Sequence, residues 1–228
     1  MTGALSLLPF ALLGAILGLD VVSFPQAMLS RPIVAATLGG ALAGHAERGL
    51  LTGVVLELFA LETLPFGASR YPEWGSASVV GGTLFAAYGG AGRGAFAFAV
   101  LAALLTASAS GLSMVAHRRL IGRWAAHMRD ELAGGSALAV NALQLRGLAS
   151  DFVRGGAVTA AALAVFGPLE RAALDAVPVG APSSRAVLAA LAVASAGAAV
   201  WRVIATTRGA PWLLVGGLLA GTGLVLAR

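Results

Sequence analysis

The sequence predicts an all-α integral membrane protein with about six to eight membrane helices, among them short, broken or re-entrant segments. Of the 228 residues, 58% are hydrophobic and only 11% are charged, whereas a soluble domain carries about 25% charged residues because its surface faces water. The apolar residues are gathered into long uninterrupted runs. Lipid must therefore face most of this surface, and residues 1–228 are expected to form a single membrane domain.

The apolar runs define the candidate membrane helices, each of which needs about 20 apolar residues to cross a bilayer. They lie at 4–22, 32–46, 49–66, 76–92, 94–116, 153–177, 186–205 and 211–227. The runs 32–46 and 76–92 are short and rich in glycine. Transporters build substrate sites from discontinuous helices of this kind, but small residues also let ordinary helices pack closely. Both interpretations stay open at this point.

The most polar stretch runs from His117 to Asp151. It carries the arginines Arg118, Arg119, Arg123, Arg129 and Arg146. The positive-inside rule predicts that this basic loop, residues 117–151, lies in the cytoplasm. Its first part, HRRLIGRWAAHMRDEL, has apolar residues at helical spacing and predicts an amphipathic helix on the inner surface or against the bundle. Because the basic residues lie in this loop and at helix ends, the net charge of +5 does not indicate nucleic-acid binding.

Other kinds of site leave no pattern in the sequence. The absence of cysteine excludes disulfides and thiolate catalysis. His45, His117 and His127 show no metal spacing with carboxylates, and GGAGRG at 89–94 is not followed by the Lys-Ser/Thr of a phosphate loop. We therefore expect no catalytic residue, no metal and no cofactor.

Glu57 is a carboxylate in the middle of an apolar run, VVLELFAL. Placing such a group inside a membrane costs about 2.5–3.5 kcal/mol. It must therefore face a polar cavity, form an ion pair with a residue such as Arg31 or Arg70, or be protonated. In a polar cavity it would accept hydrogen bonds from a sugar. Glu62 lies near the end of the same run, where it can reach the interface.

Residues 20–31, DVVSFPQAMLSR, interrupt the first apolar run with a proline and several polar groups. One interpretation is an ordinary interfacial turn anchored by Arg31. The other is a polyol-binding cluster beside Glu57, in which Asp20 accepts hydrogen bonds, Gln26 both donates and accepts, and Phe24 supplies an apolar face. An intramembrane enzyme ranks last, because Glu57 and Glu62 would point about 140° apart on a helix.

Several ordered elements resemble a known family. They are FPQAMLSRPIVAATLGGALAG with Phe24, Gln26, Arg31 and Pro32; GLLTGVVLELFALETLPFGAS with Glu57, Leu58 and Pro65–Ala68; and NALQLRGLASDFVRGGAVT with Asp151, Phe152, Arg154 and Gly155 at an expected helix start. This pattern resembles the membrane IIC subunits (EIIC, sorbose-specific type) of the mannose/fructose/sorbose family of phosphoenolpyruvate-dependent sugar phosphotransferase systems.

The resemblance implies a permease subunit in the bacterial inner membrane, multi-pass and oligomeric, that forms part of an elevator-like sugar path. Gln26 and Glu57 would bind a hexose-type sugar with help from Asp20, and Arg31 would fix the broken-helix geometry. A IID-like membrane subunit would complete the path. Phosphoryl transfer would run on separate IIA and IIB proteins, so the chain itself is not expected to be an enzyme. The alternative is a non-transporting regulatory or scaffold subunit of an incomplete system.

Overall fold

The structure is a computed structural model that describes residues 4–21, 23–61, 71–176 and 209–226. Every regular element in these ranges is helical, which confirms the predicted all-α class. The helices are, in chain order, α1 (Ala4–Asp20), α2 (Pro32–Leu42), α3 (Ala46–Ala60), α4 (Trp74–Tyr88), α5 (Arg93–His127), α6 (Arg129–Ala133), α7 (Ala137–Ala176) and α8 (Ala210–Leu226), with one 3₁₀ turn at Gly89–Ala91.

Helix α4 is the centre of the bundle. Eleven of its fifteen residues are buried, and it packs against α1, α2, α3, α5 and α7. Val80 and Leu84 of α4 join Phe10 of α1 and Leu163 of α7 in one apolar cluster. Since α4 has no side facing lipid or water over most of its length, the other helices are arranged around it.

The short helices α2 and α3 lie unusually close together because glycines line their contact. A Cβ atom added to Gly40 would lie 2.6 Å from the Cα of Gly49, and one added to Gly53 would lie 2.8 Å from the Cα of Ile33. The glycines of this region thus allow α2 and α3 to pack closely, which was one of the two interpretations of the short glycine-rich runs. Helix α2 is also short: its 11 residues extend only about 16 Å, against about 30 Å for a bilayer core.

Helices α5 and α7 correct the prediction of a long loop at 117–151. Helix α5 continues without a break to His127, and α7 already begins at Ala137. The chain turns between them around Gly134 and Gly135, where Gly135 has a positive φ of 73°. The polarity of the stretch therefore marks solvated helix faces, and its first part is helical as predicted. We call residues 117–151 the arginine hairpin; its cytoplasmic location remains a prediction.

The Asp-Phe-x-Arg-Gly element is also placed differently from the expectation. Asp151 and Arg154 lie near the middle of α7, not at a helix start. Helix α7 is continuous there because nothing before Pro168 removes a backbone donor.

Within the described ranges, two helices, Gly94–His127 and Ala137–Asp175, are long and apolar enough to cross a membrane alone. The predicted run 211–227 corresponds to α8. The predicted run 186–205, together with Glu62, Arg70 and the turn at 64–68, falls outside the described residues.

Candidate functional site

The described part of the chain between α1 and α2, residues 21 and 23–31, is non-helical and folds around the carboxylate of Asp20. The Oδ1 atom of Asp20 accepts a hydrogen bond from the backbone N–H of Ala27 at 2.7 Å. Its Oδ2 atom accepts from the backbone N–H of Ser30 at 2.8 Å and from the Ser30 hydroxyl at 2.9 Å. Asp20 is buried. We call residues 21–31 the connecting segment; Asp20 fixes its conformation from within.

Gln26 lies in the exposed part of the connecting segment. Its backbone has a φ of 59°, and that of Met28 has a φ of 61°. Residues other than glycine rarely occupy this left-handed region, and such positions cluster at ligand-binding and switch sites. Phe24 and Met28 are exposed by 68% and 74%. The segment therefore presents one amide side chain beside two apolar ones on its outer side.

Glu57 of α3 holds the far end of the connecting segment. Its Oε1 atom forms an ion pair with the guanidinium of Arg31, and its Oε2 atom accepts a hydrogen bond from the backbone N–H of Ile33 at 3.2 Å. The pair with Arg31 was one of the alternatives that the sequence left open for Glu57. The side chains of Arg31 and Glu57 are still 37% and 20% exposed, so the pair remains accessible.

The three predicted site residues thus meet on one element of structure. Asp20 binds the segment at Ala27 and Ser30, Glu57 binds it at Arg31, and Gln26 directly precedes the first of these attachment points along the chain. Their surroundings differ, however. Asp20 is buried, whereas the side chain of Gln26 is exposed and that of Glu57 is partly exposed.

A second polar cluster, inside the bundle, was missed by sequence reasoning. Glu73 caps the N-terminus of α4 by accepting from the Ser76 N–H at 3.0 Å, and it also accepts from the Ser110 hydroxyl at 2.7 Å. Arg154 donates to Ser110 at 3.0 Å and to Asp151 at 2.7 Å. This chain of bonds crosses from α4 through α5 to α7, so it joins three helices at one level of the bundle.

The internal cluster reaches the connecting segment. The hydroxyl of Ser23 donates to the Oδ2 atom of Asp151 at 3.0 Å, across 128 residues of sequence. Asp151 is thus bonded on both oxygens, to Ser23 and to Arg154. The signal in the sequence was that Asp151 and Arg154 stand three residues apart at the edge of an apolar run, where charges are expected to be paired.

None of the histidines in the described ranges belongs to a group of three or more potential metal-ligating side chains. His45 contacts Glu47 at 3.2 Å on the exposed end of α3. His117 contacts the Ser150 hydroxyl at 2.7 Å inside the arginine hairpin.

These features define a class of protein: a multi-helix membrane protein in which a polar, unwound segment separates the first two helices. Within that class, the chain belongs to the family of the sorbose-specific IIC component of the PTS system, whose family model matches residues 4–224. The chain is therefore a membrane permease subunit of a sugar phosphotransferase system. As such, it works with a sugar and with other components of that system.

The fold has a counterpart among solved structures. A chain described as "Structure of membrane protein" is similar over 97% of this chain and 88% of its own length, with a TM-score of 0.71 and 18% sequence identity. At that identity, the similarity concerns the fold alone. A comparison with curated proteins gives no match.

Proposed function

We propose that the connecting segment and Glu57 form the part of the sugar path that this subunit contributes. The observation that carries the proposal is the anchoring of an unwound segment by two carboxylates, Asp20 and Glu57, with the exposed Gln26 directly before the first anchored residue, Ala27. Transporters place substrate sites at interrupted helices of this kind because the freed backbone and side chains can bind polar ligands.

The residues take different roles in this proposal. The Gln26 amide donates one hydrogen bond to a sugar hydroxyl and accepts another. The carboxylate of Glu57 accepts from a second hydroxyl while Arg31 balances its charge. Asp20 acts as a positioning residue, because its oxygens already accept hydrogen bonds from the segment. A hexose-type sugar supplies hydroxyl groups in the number that this arrangement needs.

The proposal includes partners that complete the transport. A IID-like membrane subunit forms the rest of the sugar path, and IIA and IIB proteins carry the phosphoryl group and act at the cytoplasmic face near the arginine hairpin. This chain then provides binding and passage, with the phosphoryl transfer on its partners. A purification that retains a IID-like protein with this chain would support that division of labour.

The test is sugar uptake in cells that carry the partner proteins, with mannose, fructose and sorbose as probes. Gln26→Ala and Glu57→Gln should each raise the KM for the transported sugar about tenfold, because one hydrogen bond to the ligand contributes about 1–1.5 kcal/mol. Glu47→Gln is the matched control, since Glu47 lies on the same helix with its side chain 68% exposed. It should leave uptake unchanged.

Unchanged KM values for both site variants would refute the site. A different result would support the alternative function instead of transport. If the wild-type chain inserts and binds its partners but transports none of the three sugars, the chain is better described as a regulatory or scaffold subunit of an incomplete system.

A further inference from the structure

An open cavity of about 440 Å³ lies within the arginine hairpin, between the end of α5, helix α6 and the beginning of α7. This volume is within the range of about 300–1,000 Å³ that small-molecule sites occupy. Most of its wall is aliphatic. The aliphatic side chains are those of Met114, Ile121, Leu132, Val140, Leu143 and Leu148.

Two of the polar residues that line the cavity, Asp151 and His117, already have partners in the protein, and Gln144 also lines it. Asp151 accepts hydrogen bonds from Ser23 and Arg154, and the imidazole of His117 is paired with the Ser150 hydroxyl. Besides Gln144 and Arg118, a sugar in this cavity would therefore meet mainly apolar surface. The lining favours a ligand with a hydrocarbon portion, since burial of apolar surface stabilises by about 25 cal/mol per Å².

The position of the cavity along the helices corresponds to the surface of the membrane. Helix α5 has 35 residues and α7 has 40, so they extend about 52 and 60 Å, whereas the bilayer core is about 30 Å thick. The cavity-lining residues of α5 lie at 114–121 and those of α7 at 140–151, at the junction between their apolar and arginine-rich parts. Acyl chains meet headgroups at this level.

The excess of positive charge on the arginine hairpin favours an anionic headgroup. Arg118 lines the cavity, with its guanidinium carbon 5.0 Å from the ring centroid of Tyr71. The other arginines of the hairpin, at 119, 123, 129 and 146, are exposed, and the exposed carboxylates of the hairpin are only Asp130 and Glu131. Basic pockets at the ends of membrane helices bind anionic lipid headgroups.

From these observations we propose that the arginine hairpin binds an anionic phospholipid, with one acyl chain in the cavity and the phosphate among the arginines around Arg118. The lipid would hold the hairpin at the membrane surface. The proposal is independent of the sugar site, because the connecting segment contributes only Ser23 to the cavity wall.

The experiment titrates the purified full chain in detergent with two phospholipids that have the same acyl chains, phosphatidylglycerol and phosphatidylcholine. Bound lipid is counted by native mass spectrometry, and the unfolding temperature is followed in parallel. We expect phosphatidylglycerol to bind about tenfold more tightly. Val140→Trp, which fills the cavity, should weaken binding of both lipids, whereas Arg118→Gln combined with Arg123→Gln should abolish only the preference for phosphatidylglycerol.

Arg171→Gln is the matched control, because Arg171 is exposed on the same helix but 20 residues, or about 30 Å, beyond Asp151. It should keep the full preference. If Val140→Trp is not monodisperse, the smaller Val140→Phe replaces it. The arginine variants do not depend on this choice, because they are assessed by their preference for phosphatidylglycerol over phosphatidylcholine.

Three results would overturn the proposal. Equal binding of the two lipids would do so, as expected if the cavity instead accommodates a protein partner. Unchanged lipid binding in a folded cavity-filled variant would show that no acyl chain enters. Competition by free glycerol phosphate at the affinity of the whole lipid would show that a soluble phosphate compound is the ligand.

Discussion

At the scale of single residues, Glu73 and Glu170 are two fully buried carboxyl side chains with opposite surroundings. Glu73 accepts hydrogen bonds from the Ser76 N–H and the Ser110 hydroxyl. Neither carboxyl oxygen of Glu170 has a hydrogen-bond partner within the described part of the chain. A buried polar group left without a partner costs about 1–3 kcal/mol. The two carboxyl groups should therefore affect the stability of the folded state in opposite directions.

We expect Glu170→Met to raise the free energy of unfolding by about 1–3 kcal/mol, since methionine fills a similar space without the unpaired oxygens. Glu73→Met should lower it by about 2 kcal/mol, because the first turn of α4 loses its cap and Ser110 loses an acceptor. The midpoints of thermal unfolding in one detergent give the comparison. A lower midpoint for Glu170→Met would show that its carboxyl group binds a partner in the folded protein.

At the scale of elements, the connecting segment depends on one carboxylate. Asp20 accepts hydrogen bonds from the backbone N–H groups of Ala27 and Ser30, one on each oxygen. Asparagine in its place has a single acceptor oxygen, so its amide NH₂ must face one of these two donors. Bonds to a charged acceptor contribute about 1.5–3 kcal/mol each.

Asp20→Asn should therefore loosen the connecting segment while the helices stay folded. Amide hydrogen exchange of a peptide that contains Ala27 and Ser30 should accelerate about tenfold or more, since about 1.4 kcal/mol corresponds to a factor of ten. Peptides from α4 should exchange at the wild-type rate. Asp130→Asn is the matched control because Asp130 is exposed on α6. If exchange in the segment is the same in both variants, Asp20 does not fix the segment.

The elements also show what the sequence could and could not predict. The starts of α1, α2 and α4 lie within two residues of the predicted runs, because the beginnings of the apolar runs and Pro32 mark them directly. Residues 117–151 were predicted as a basic loop with a helix in its first part, because the stretch is as polar as a loop. No proline interrupts α5 there, so the helix continues with solvated arginines on its surface.

The candidate site was predictable only in part. A carboxylate in an apolar run must face a polar cavity, form an ion pair or be protonated, and the pair with Arg31 was one of these open alternatives. The positioning role of Asp20 did not follow, because it depends on how residues 27–30 fold back on it. The link between Ser23 and Asp151 spans 128 residues, and a contact at that separation exists only once the helices have packed.

At the scale of the whole molecule, α5 fixes how the chain is oriented in the membrane. The helix runs unbroken from Arg93 to His127, about 52 Å, so we expect its two ends to lie on opposite sides of a bilayer core of about 30 Å. The arginine hairpin includes its C-terminal end, and arginine-rich connections stay in the cytoplasm. The 3₁₀ turn at Gly89–Ala91 precedes its N-terminal end and should therefore lie on the outer side.

Because the chain contains no cysteine, this orientation can be tested with single cysteines in an otherwise unchanged protein. Ala133→Cys and Gly90→Cys place a thiol at exposed positions near the two ends of α5, and a side chain at Gly90 meets no atom within 4 Å. In intact cells, a membrane-impermeant maleimide should label only the cysteine at 90. In inverted vesicles it should label only the cysteine at 133.

The reverse pattern would place the arginine hairpin outside, which would remove it from the side where the phosphotransferase partners act. Labelling of both positions in sealed cells would mean that α5 does not cross the membrane.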